Sequence, residues 1–188
     1  VDTMPPKPSS SYADEGTLLH DTTASVLESD LDPYSMVGTT YASSVLTEAL
    51  VDDKLVVALR ALDEIDPKGE MEYAVESRVG FGDFLPNVFG STDLLGRLGD
   101  RAIVLDWKFG DGVAVEATEN AQLLFYAAAA KRTAETAWAF DGAKEVELII
   151  VQPPFVKRWV TTLERVDAFE KELAAAVKIA ARPDAPLA

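Results

Sequence analysis

The chain has 188 residues, of which 48% are hydrophobic and 26% are charged, a balance typical of a single globular domain spanning 1–188 and unlike that of a disordered chain. It contains no cysteine, which excludes disulfides, thiolate zinc sites and a cysteine-ligated iron–sulfur cluster in this chain. Its formal net charge is -15, from 32 acidic and 17 basic residues, and this charge opposes non-specific attraction to a polyanion.

The first 65 residues predict a flexible tail followed by two helices. Residues 1–10 carry three prolines and form the tail, and Ser9, Ser10 and Ser11 cap the helix that follows. A loop over 29–41 separates this helix from a second one over 43–65. Residues at alternating steps of four and three define the inward face of the first helix: Ala13, Thr17, His20, Ala24 and Leu27.

Three strands follow at about 71–80, 88–97 and 101–108, and the last two form a hairpin. Only Gly99 and Asp100 separate Leu98 from Arg101, and glycine at the first of two loop positions suits a type II′ turn. Such a turn pairs Leu98 with Arg101 and thereby determines the register of the two strands.

In this register, counting five residues along each strand sets Asp93 opposite Asp106, and Lys108 shares the face of Asp106 because it lies two residues further on. Carboxylates directly across a strand pair repel each other. A divalent cation removes that repulsion, and Mg²⁺ and Mn²⁺ favour carboxylate oxygens. Lys108 can then stabilise charge on a phosphate beside the metal or position a water molecule there.

The remaining residues predict a helix over 119–137, an apolar strand over 145–152 and a last helix. Thr161 and Glu164 have the spacing of a capping box at the start of the last helix. Its inward positions recur at steps of three and four: Val166, Phe169, Leu173 and Val177. The predicted order is helix, helix, three strands, helix, strand, helix.

Two motifs of this chain resemble those of the PD-(D/E)xK nuclease superfamily. Gly90-Ser91-Thr92-Asp93 is followed, after twelve intervening residues, by Asp106-Trp107-Lys108, and this pattern resembles the catalytic signature of the superfamily. The resemblance implies an α/β fold with a restriction-endonuclease-like core, made of a helix, a three-stranded antiparallel meander, a helix and a strand, with extra helices at both ends of the core.

Two further motifs are similar to those of the RecB-like and phage exonuclease-like branch. Gly16 and His20 match its Gly-x-x-x-His motif, and Gln122 and Tyr126 match its Gln-x-x-x-Tyr motif. Many RecB-like nucleases carry cysteines that hold an iron–sulfur cluster. Either this chain belongs to a cluster-free branch or the cysteine-bearing segment lies beyond this sequence.

The resemblance also implies a role for each matching residue. Lys108 is the catalytic lysine, and Gln122 and Tyr126 line the active site and contact nucleic acid. Glu76 matches a family acid that serves near the first metal or at a second one. One or two Mg²⁺ or Mn²⁺ ions are held by the remaining residues: His20, Asp93, Asp106 and the backbone carbonyl of Trp107.

The implied function is a divalent-metal-dependent deoxyribonuclease that hydrolyses phosphodiester bonds and acts as an exonuclease on a single strand or a duplex end. Because the chain is acidic, we expect DNA affinity to come from a local basic groove or from a partner protein. The groove candidates are Lys131, Arg132, Lys157 and Arg158. No apolar run approaches the roughly 20 residues of a membrane span and no signal peptide is visible, so we expect a cytoplasmic protein of a bacterium or a phage-infected cell.

Other interpretations of the same residues remain open. A lone histidine on an apolar helix face is commonly a core residue, and Asp106-x-Lys108 by itself is typical of a surface ion pair. Glu76 shares its strand face with Glu72 and Arg78, which suits a solvated surface equally well. The alternative functions are a catalytically inactive nucleic-acid-binding or assembly module of the same fold, and a metal-dependent enzyme acting on a small phosphorylated molecule.

Overall fold

A computed structural model describes residues 8–110 and 112–181, and within them a five-stranded mixed sheet lies between two layers of helices. The helices are α1 (Pro8–Ser29), α2 (Glu48–Leu50), α3 (Val56–Ile65), α4 (Ala121–Arg132) and α5 (Leu163–Ala180). The strands are β1 (Thr40–Tyr41), β2 (Ser44–Val45), β3 (Glu72–Gly80), β4 (Phe89–Leu98), β5 (Arg101–Trp107), β6 (Glu145–Gln152) and β7 (Phe155–Thr161). The large sheet has the order β3-β4-β5-β6-β7, with β5 and β6 parallel and the other neighbours antiparallel. The predicted α/β class is confirmed.

The sheet separates two hydrophobic cores. Successive side chains of a strand point to opposite faces, so Ile103 and Leu105 of β5 join α1 and α3 on one face. Ala102 and Val104 join α4 and α5 on the other face. Strands buried on both faces have nearly continuous apolar sequences, and β5 and β6 follow this pattern. None of the helices within 8–110 and 112–181 is long and apolar enough to cross a membrane.

The hairpin register between β4 and β5 is the predicted one. Leu98 pairs with Arg101, and the ladder continues to the pair Leu94 and Leu105. Gly99 has a φ of +58°, a left-handed conformation that glycine adopts without strain and that the first position of a type II′ turn requires. Asp93 and Asp106 are therefore the next residues beyond the end of this ladder.

Strand β3 changes its side-chain direction at Glu76. In a regular strand Val75 and Val79 would share a face, yet Val75 packs against the core of α1 and α3 while Val79 lies in the core of α4 and α5. Between them Glu76 has a φ of +51°, and it is left out of the residue pairs between β3 and β4. The irregular residue lies at the register position of Asp93.

The N-terminal predictions need three corrections. Residues 8–10 are helical, so the tail does not extend to residue 10, and Ser9, Ser10 and Ser11 do not cap the helix; residues 1–7 lie outside the described part. The inward face of α1 also differs from the predicted one. The large residues Leu18, Leu19 and Val26 are buried on it, while Ala13 is exposed. Thr22 and Thr23 join this buried face because their hydroxyls donate to carbonyls one turn earlier in the helix.

The predicted second helix begins later than residue 43. Thr47 caps it by accepting a hydrogen bond from the Leu50 N–H, and the helical segment passes through a π-helical turn, Val51–Leu55, before α3. Residues 40–45 form the β1–β2 hairpin instead, and the predicted loop over 29–41 contains a 3₁₀ helix, Pro33–Met36. Short strands and turns of this kind lack the periodicity that identifies longer elements.

In the C-terminal third, the prediction missed strand β7. Pro153 and Pro154 occupy the turn between β6 and β7 and do not mark the end of the sheet, because prolines at a turn need not interrupt the pairing on either side of it. The capping residue of α5 is Thr162, since Thr161 ends β7. Helix α4 stops at Arg132 and not at 137.

We predict that Glu147 stabilises the sheet through a buried ion pair. Its side chain is 2% exposed and lies 3.2 Å from the Arg101 guanidinium and 2.6 Å from that of Arg158. Glu147→Gln should lower the free energy of unfolding, measured by urea denaturation, by about 2 kcal/mol, because two arginines lose a desolvated partner. Glu145→Gln is the matched control, since Glu145 also contacts Arg101 but is 50% exposed. Equal effects of the two variants would contradict this account.

Candidate functional site

Two carboxylates lie side by side where the β4–β5 ladder ends. Asp106 is the penultimate residue of β5, and Asp93 lies across from it on β4. Their side chains are 7% and 17% exposed, respectively. The Trp107 N–H donates to Oδ2 of Asp93 at 2.8 Å, so a backbone donor of β5 orients this carboxylate. The structure thus brings the two predicted acids together.

The imidazole of His20 reaches this pair from α1. Its Nδ1 lies 3.3 Å from Oδ1 of Asp93, and 31% of its side chain is exposed. The ring meets Phe109 edge-to-face, with 5.4 Å between the centroids. Helix α1 therefore contributes its histidine to the site from the face of the sheet opposite to α4.

Lys108 connects the acids to α4. Its Nζ lies 2.7 Å from Oδ2 of Asp106 and donates to Oε1 of Gln122 at 2.9 Å. The Nε2 group of Gln122 in turn donates to the Tyr126 hydroxyl at 3.1 Å. Because residues four apart share a helix face, Gln122 and Tyr126 extend one continuous polar chain from Asp106.

Gly90 allows Tyr126 to take this position. A Cβ at Gly90 would lie 2.9 Å from the Tyr126 ring, closer than carbon atoms pack. The glycine of the Gly-Ser-Thr-Asp motif therefore has a packing role that the sequence pattern does not reveal.

Glu76 takes part in the electrostatics of the site. It is exposed and occupies the register position of Asp93. Partial burial and the charges of Asp21 and Asp93 raise its pKa. Asp21, the neighbour of His20, was missed by the sequence analysis, and only its position next to the histidine could have indicated it.

The remaining predicted ligand is the carbonyl of Trp107. Trp107 is 2% exposed, and its ring stacks against Phe109 in the core of α1 and α3. Its backbone touches the acid pair through the N–H bond to Asp93. The ligand role of the carbonyl itself stays a prediction.

Burial and mutual repulsion make the acid pair costly to ionise fully. Burial and the neighbouring Asp93 raise the pKa of Asp106 to about 7, and the opposing effect of Lys108 is smaller. Burial also acts to raise the pKa of Asp93, but hydrogen bonds with His20, Asp106 and the Trp107 N–H outweigh it and lower that pKa. Burial lowers the pKa of His20, yet Asp93 raises it overall.

One atom of the pair lacks a hydrogen bond. Among the described residues, Oδ2 of Asp106 is buried and accepts none, because the nearby Lys108 Nζ forms an ion pair without hydrogen-bond geometry. Carboxylate oxygens suit Mg²⁺ or Mn²⁺, and the His20 imidazole lies beside them. Within 8–110 and 112–181, however, no three or more histidine, aspartate or glutamate side chains converge closely enough to hold a metal ion as they stand.

A cleft of about 280 Å³ lies next to the site on the α1 side and is lined by His20 and Lys108, but not by the two acids. Gly16 lies at its wall, and a Cβ there would meet nothing within 4 Å, so the glycine is not required by packing. The residues around the opening come from α1, the segment after β5 and the end of β6: Gly16, His20, Lys108, Phe109, Gly112 and Gln152.

The four predicted groove cations do not form a basic groove. Lys157 and Arg158 are consecutive on β7 and point to opposite faces of the sheet. Each of the four is also paired with a carboxylate: Lys131 with Asp167, Arg132 with Glu170, Lys157 with Glu116, and Arg158 with Glu147. Each of these four positive charges is therefore neutralised by a carboxylate of the protein itself.

Comparison with known proteins gives one family and a distant structural likeness. A family model described as "Protein of unknown function (DUF2800)" matches residues 2–188. A solved structure described as "Crystal structure of SSO0001" is similar at 13% sequence identity with a TM-score of 0.30, over 69% of this chain and 59% of that chain. This chain thus spans about three fifths of that structure, and a likeness at this level carries no argument about fold or function.

We predict that Asp106→Asn stabilises the metal-free protein. Between about pH 4 and about pH 7 the unfolded chain releases the Asp106 proton while the folded chain retains it, so the free energy of unfolding falls with rising pH. Asparagine does not titrate, so the variant does not lose stability in this way as the pH rises. Relative to wild type, it should have a free energy of unfolding about 2 kcal/mol higher at pH 8 in EDTA, but little different at pH 4. Asp53→Asn, at an exposed position, is the control. An effect of Asp106→Asn that does not change with pH would contradict the prediction.

Proposed function

The chain belongs to the DUF2800 family, and we propose that it is a Mg²⁺- or Mn²⁺-dependent nuclease that hydrolyses phosphodiester bonds of DNA in an exonuclease-like manner. One observation carries the proposal: the buried Asp106 beside the partly buried Asp93, with Lys108 in contact with Asp106. A restriction-endonuclease-like core is part of the proposal, supported by the order α1, antiparallel β3–β4–β5, α4 and parallel β6.

The cost of the acid pair argues for a functional role. Two adjacent buried carboxyls stabilise a fold less than apolar residues of similar size would. Perturbed acids of this kind cluster at sites that bind cations or transfer protons. The buried Oδ2 of Asp106 accepts no hydrogen bond among the described residues and contacts the Lys108 ammonium, so a metal would share this oxygen with Lys108. Asp93, Asp106 and His20 are the residues that would hold the metal.

The chain's own groups can then bind and orient a phosphodiester. When bound, the metal supplies Lewis-acid chemistry at the phosphate and lowers the pKa of a nearby water molecule. The Trp107 N–H and His20 hold the Asp93 carboxylate in place. Gln122 accepts a hydrogen bond from Lys108 and keeps the ammonium beside Asp106, where it can neutralise charge on the phosphate.

A second candidate is an inactive nucleic-acid-binding or assembly module of the same fold. It is favoured by the finding that, within the described part of the chain, the histidine and acid side chains do not converge to hold a metal. The two candidates differ in whether the acid pair binds a cation and in whether DNA is cleaved.

We predict metal-dependent cleavage of end-labelled single- or double-stranded DNA by the wild-type chain. Asp106→Asn and Lys108→Gln should each lower the rate by at least about 100-fold, because each removes a group that faces the reacting phosphate. Asp53→Asn, far from the site in sequence and exposed, should cleave like wild type. Equal cleavage by all four proteins would assign the activity to a contaminant or to another site, and no cleavage by any would favour the binding module.

We also predict that Mn²⁺ raises the melting temperature of the wild-type protein in a concentration-dependent way, because a ligand that binds only the folded state stabilises it. Asp106→Asn should abolish most of the shift. Asp53→Asn should retain it, which controls for unspecific binding to an acidic protein. A shift of the same size in all three proteins would argue against a metal at the acid pair.

A further inference from the structure

A second, larger cleft lies at the far end of β3 and β4, beyond the acid pair. It has a volume of about 730 Å³, within the range of small-molecule sites. The residues that matter for its chemistry are Ser77, Arg78, Asn87, Phe89, Arg132 and Glu135. None of them has a part in the site described above.

Two arginines cover exposed aromatic rings at this end of the molecule. The Arg78 guanidinium lies 4.2 Å from the centroid of Phe89, which is 55% exposed. Arg132 lies 3.9 Å from the centroid of Phe84, which is 45% exposed. An exposed ring under a guanidinium offers a flat stacking surface and a positive charge at one place.

Arg78 differs from the other cations of this surface. Arg132 forms an ion pair with Glu170, whereas Arg78 forms no ion pair with any carboxylate of the described residues 8–110 and 112–181. In a chain with a net charge of -15, a guanidinium that is held against a ring and left without an acid remains available to an anionic ligand.

The Arg78–Phe89 platform lies on β3 and β4, and β4 also carries Asp93 of the acid pair. Ser77 pairs with Thr92, the neighbour of Asp93, and Arg78 pairs with Ser91. Phe89 precedes Asp93 by four residues on the same strand, a distance of about 13 Å at the usual rise. A ligand that is anionic along its length can span a distance of this size.

We propose that Phe89 and Arg78 form a stacking subsite for one strand of nucleic acid whose backbone continues to the acid pair; this rests on the proposed nuclease function. An unpaired base stacks on the exposed ring system, and the guanidinium contacts an adjacent phosphate. Bases within a duplex are already stacked on each other, so the subsite selects a single strand. Its dependence on stacking and one cation also suits an acidic protein, which repels the broad phosphate surface of a duplex.

The test is the binding of a fluorescein-labelled oligothymidylate of about 10 nucleotides in EDTA, followed by fluorescence anisotropy. Phe89→Leu should weaken binding at least about fivefold and Phe89→Trp should preserve it, because only the aromatic face stacks on a base. Arg78→Gln should weaken binding and lower the slope of log Kd against log salt by about 0.7, the loss of one phosphate contact.

Matched controls lie at the opposite end of the strands. Trp138 is a partly exposed aromatic residue beside the Gly99 turn, and Lys144 pairs with Asp100 of the same turn. Trp138→Leu and Lys144→Gln should bind the oligonucleotide like wild type. Circular dichroism of every variant should match wild type, since the substituted side chains are exposed.

Activity separates this inference from the proposed function. Phe89→Leu should lower kcat/KM for oligothymidylate about tenfold and leave hydrolysis of bis(p-nitrophenyl) phosphate, which is too small to reach the platform, unchanged. If wild type cleaves neither substrate yet binds the oligonucleotide through Phe89, the nuclease proposal fails and the subsite stands. If Phe89→Leu and Arg78→Gln bind and cleave like wild type, or if the wild type binds no single strand, the subsite is overturned.

Discussion

The feature on which the rest of the site depends is the proximity of two carboxyls, the buried Asp106 and the partly buried Asp93. Repulsion across a strand pair would normally separate them, but the hairpin register places them together and burial prevents water from screening them. The surrounding groups are all of the kind that reduces this repulsion: a backbone N–H, an imidazole and an ammonium. Local electrostatics thus accounts for the arrangement of Trp107, His20 and Lys108.

The three groups reach the acids from both sides of the sheet. His20 comes from α1, whereas Lys108 is held by Gln122 of α4, on the opposite face. Such a meeting is possible only where the sheet is irregular or ends. The reversal of side-chain direction at Glu76 lies at the register position of Asp93, and the missing Cβ of Gly90 leaves room for Tyr126. The irregular backbone and the chemistry of the site therefore occur at the same place.

Charge distribution explains why binding would be local. The cations Lys131, Arg132, Lys157 and Arg158 are neutralised by neighbouring acids, so they stabilise the fold and do not form a groove. Arg78, which packs against the ring of Phe89, remains available to an anionic ligand. An acidic protein with few outward cations favours a ligand that it can bind by base stacking as well as by charge. Such a ligand is a single strand of nucleic acid, whose bases are free to stack on the platform.

Local patterns in the sequence were sufficient for the α/β class, the β4–β5 register and the adjacency of Asp93 and Asp106, because a two-residue turn and strict alternation are short-range constraints. They were not sufficient for strand β7 or the true inward face of α1, which depend on neighbours distant in sequence. They also did not identify Thr47 and Thr162 as caps, although each accepts a hydrogen bond from an N–H only three residues further on. Only the tertiary structure decided the contact of His20 with Asp93, the reversal at Glu76 and the pairing of each surface cation. These depend on which helices pack against which face of the sheet, and no spacing along the chain encodes that packing.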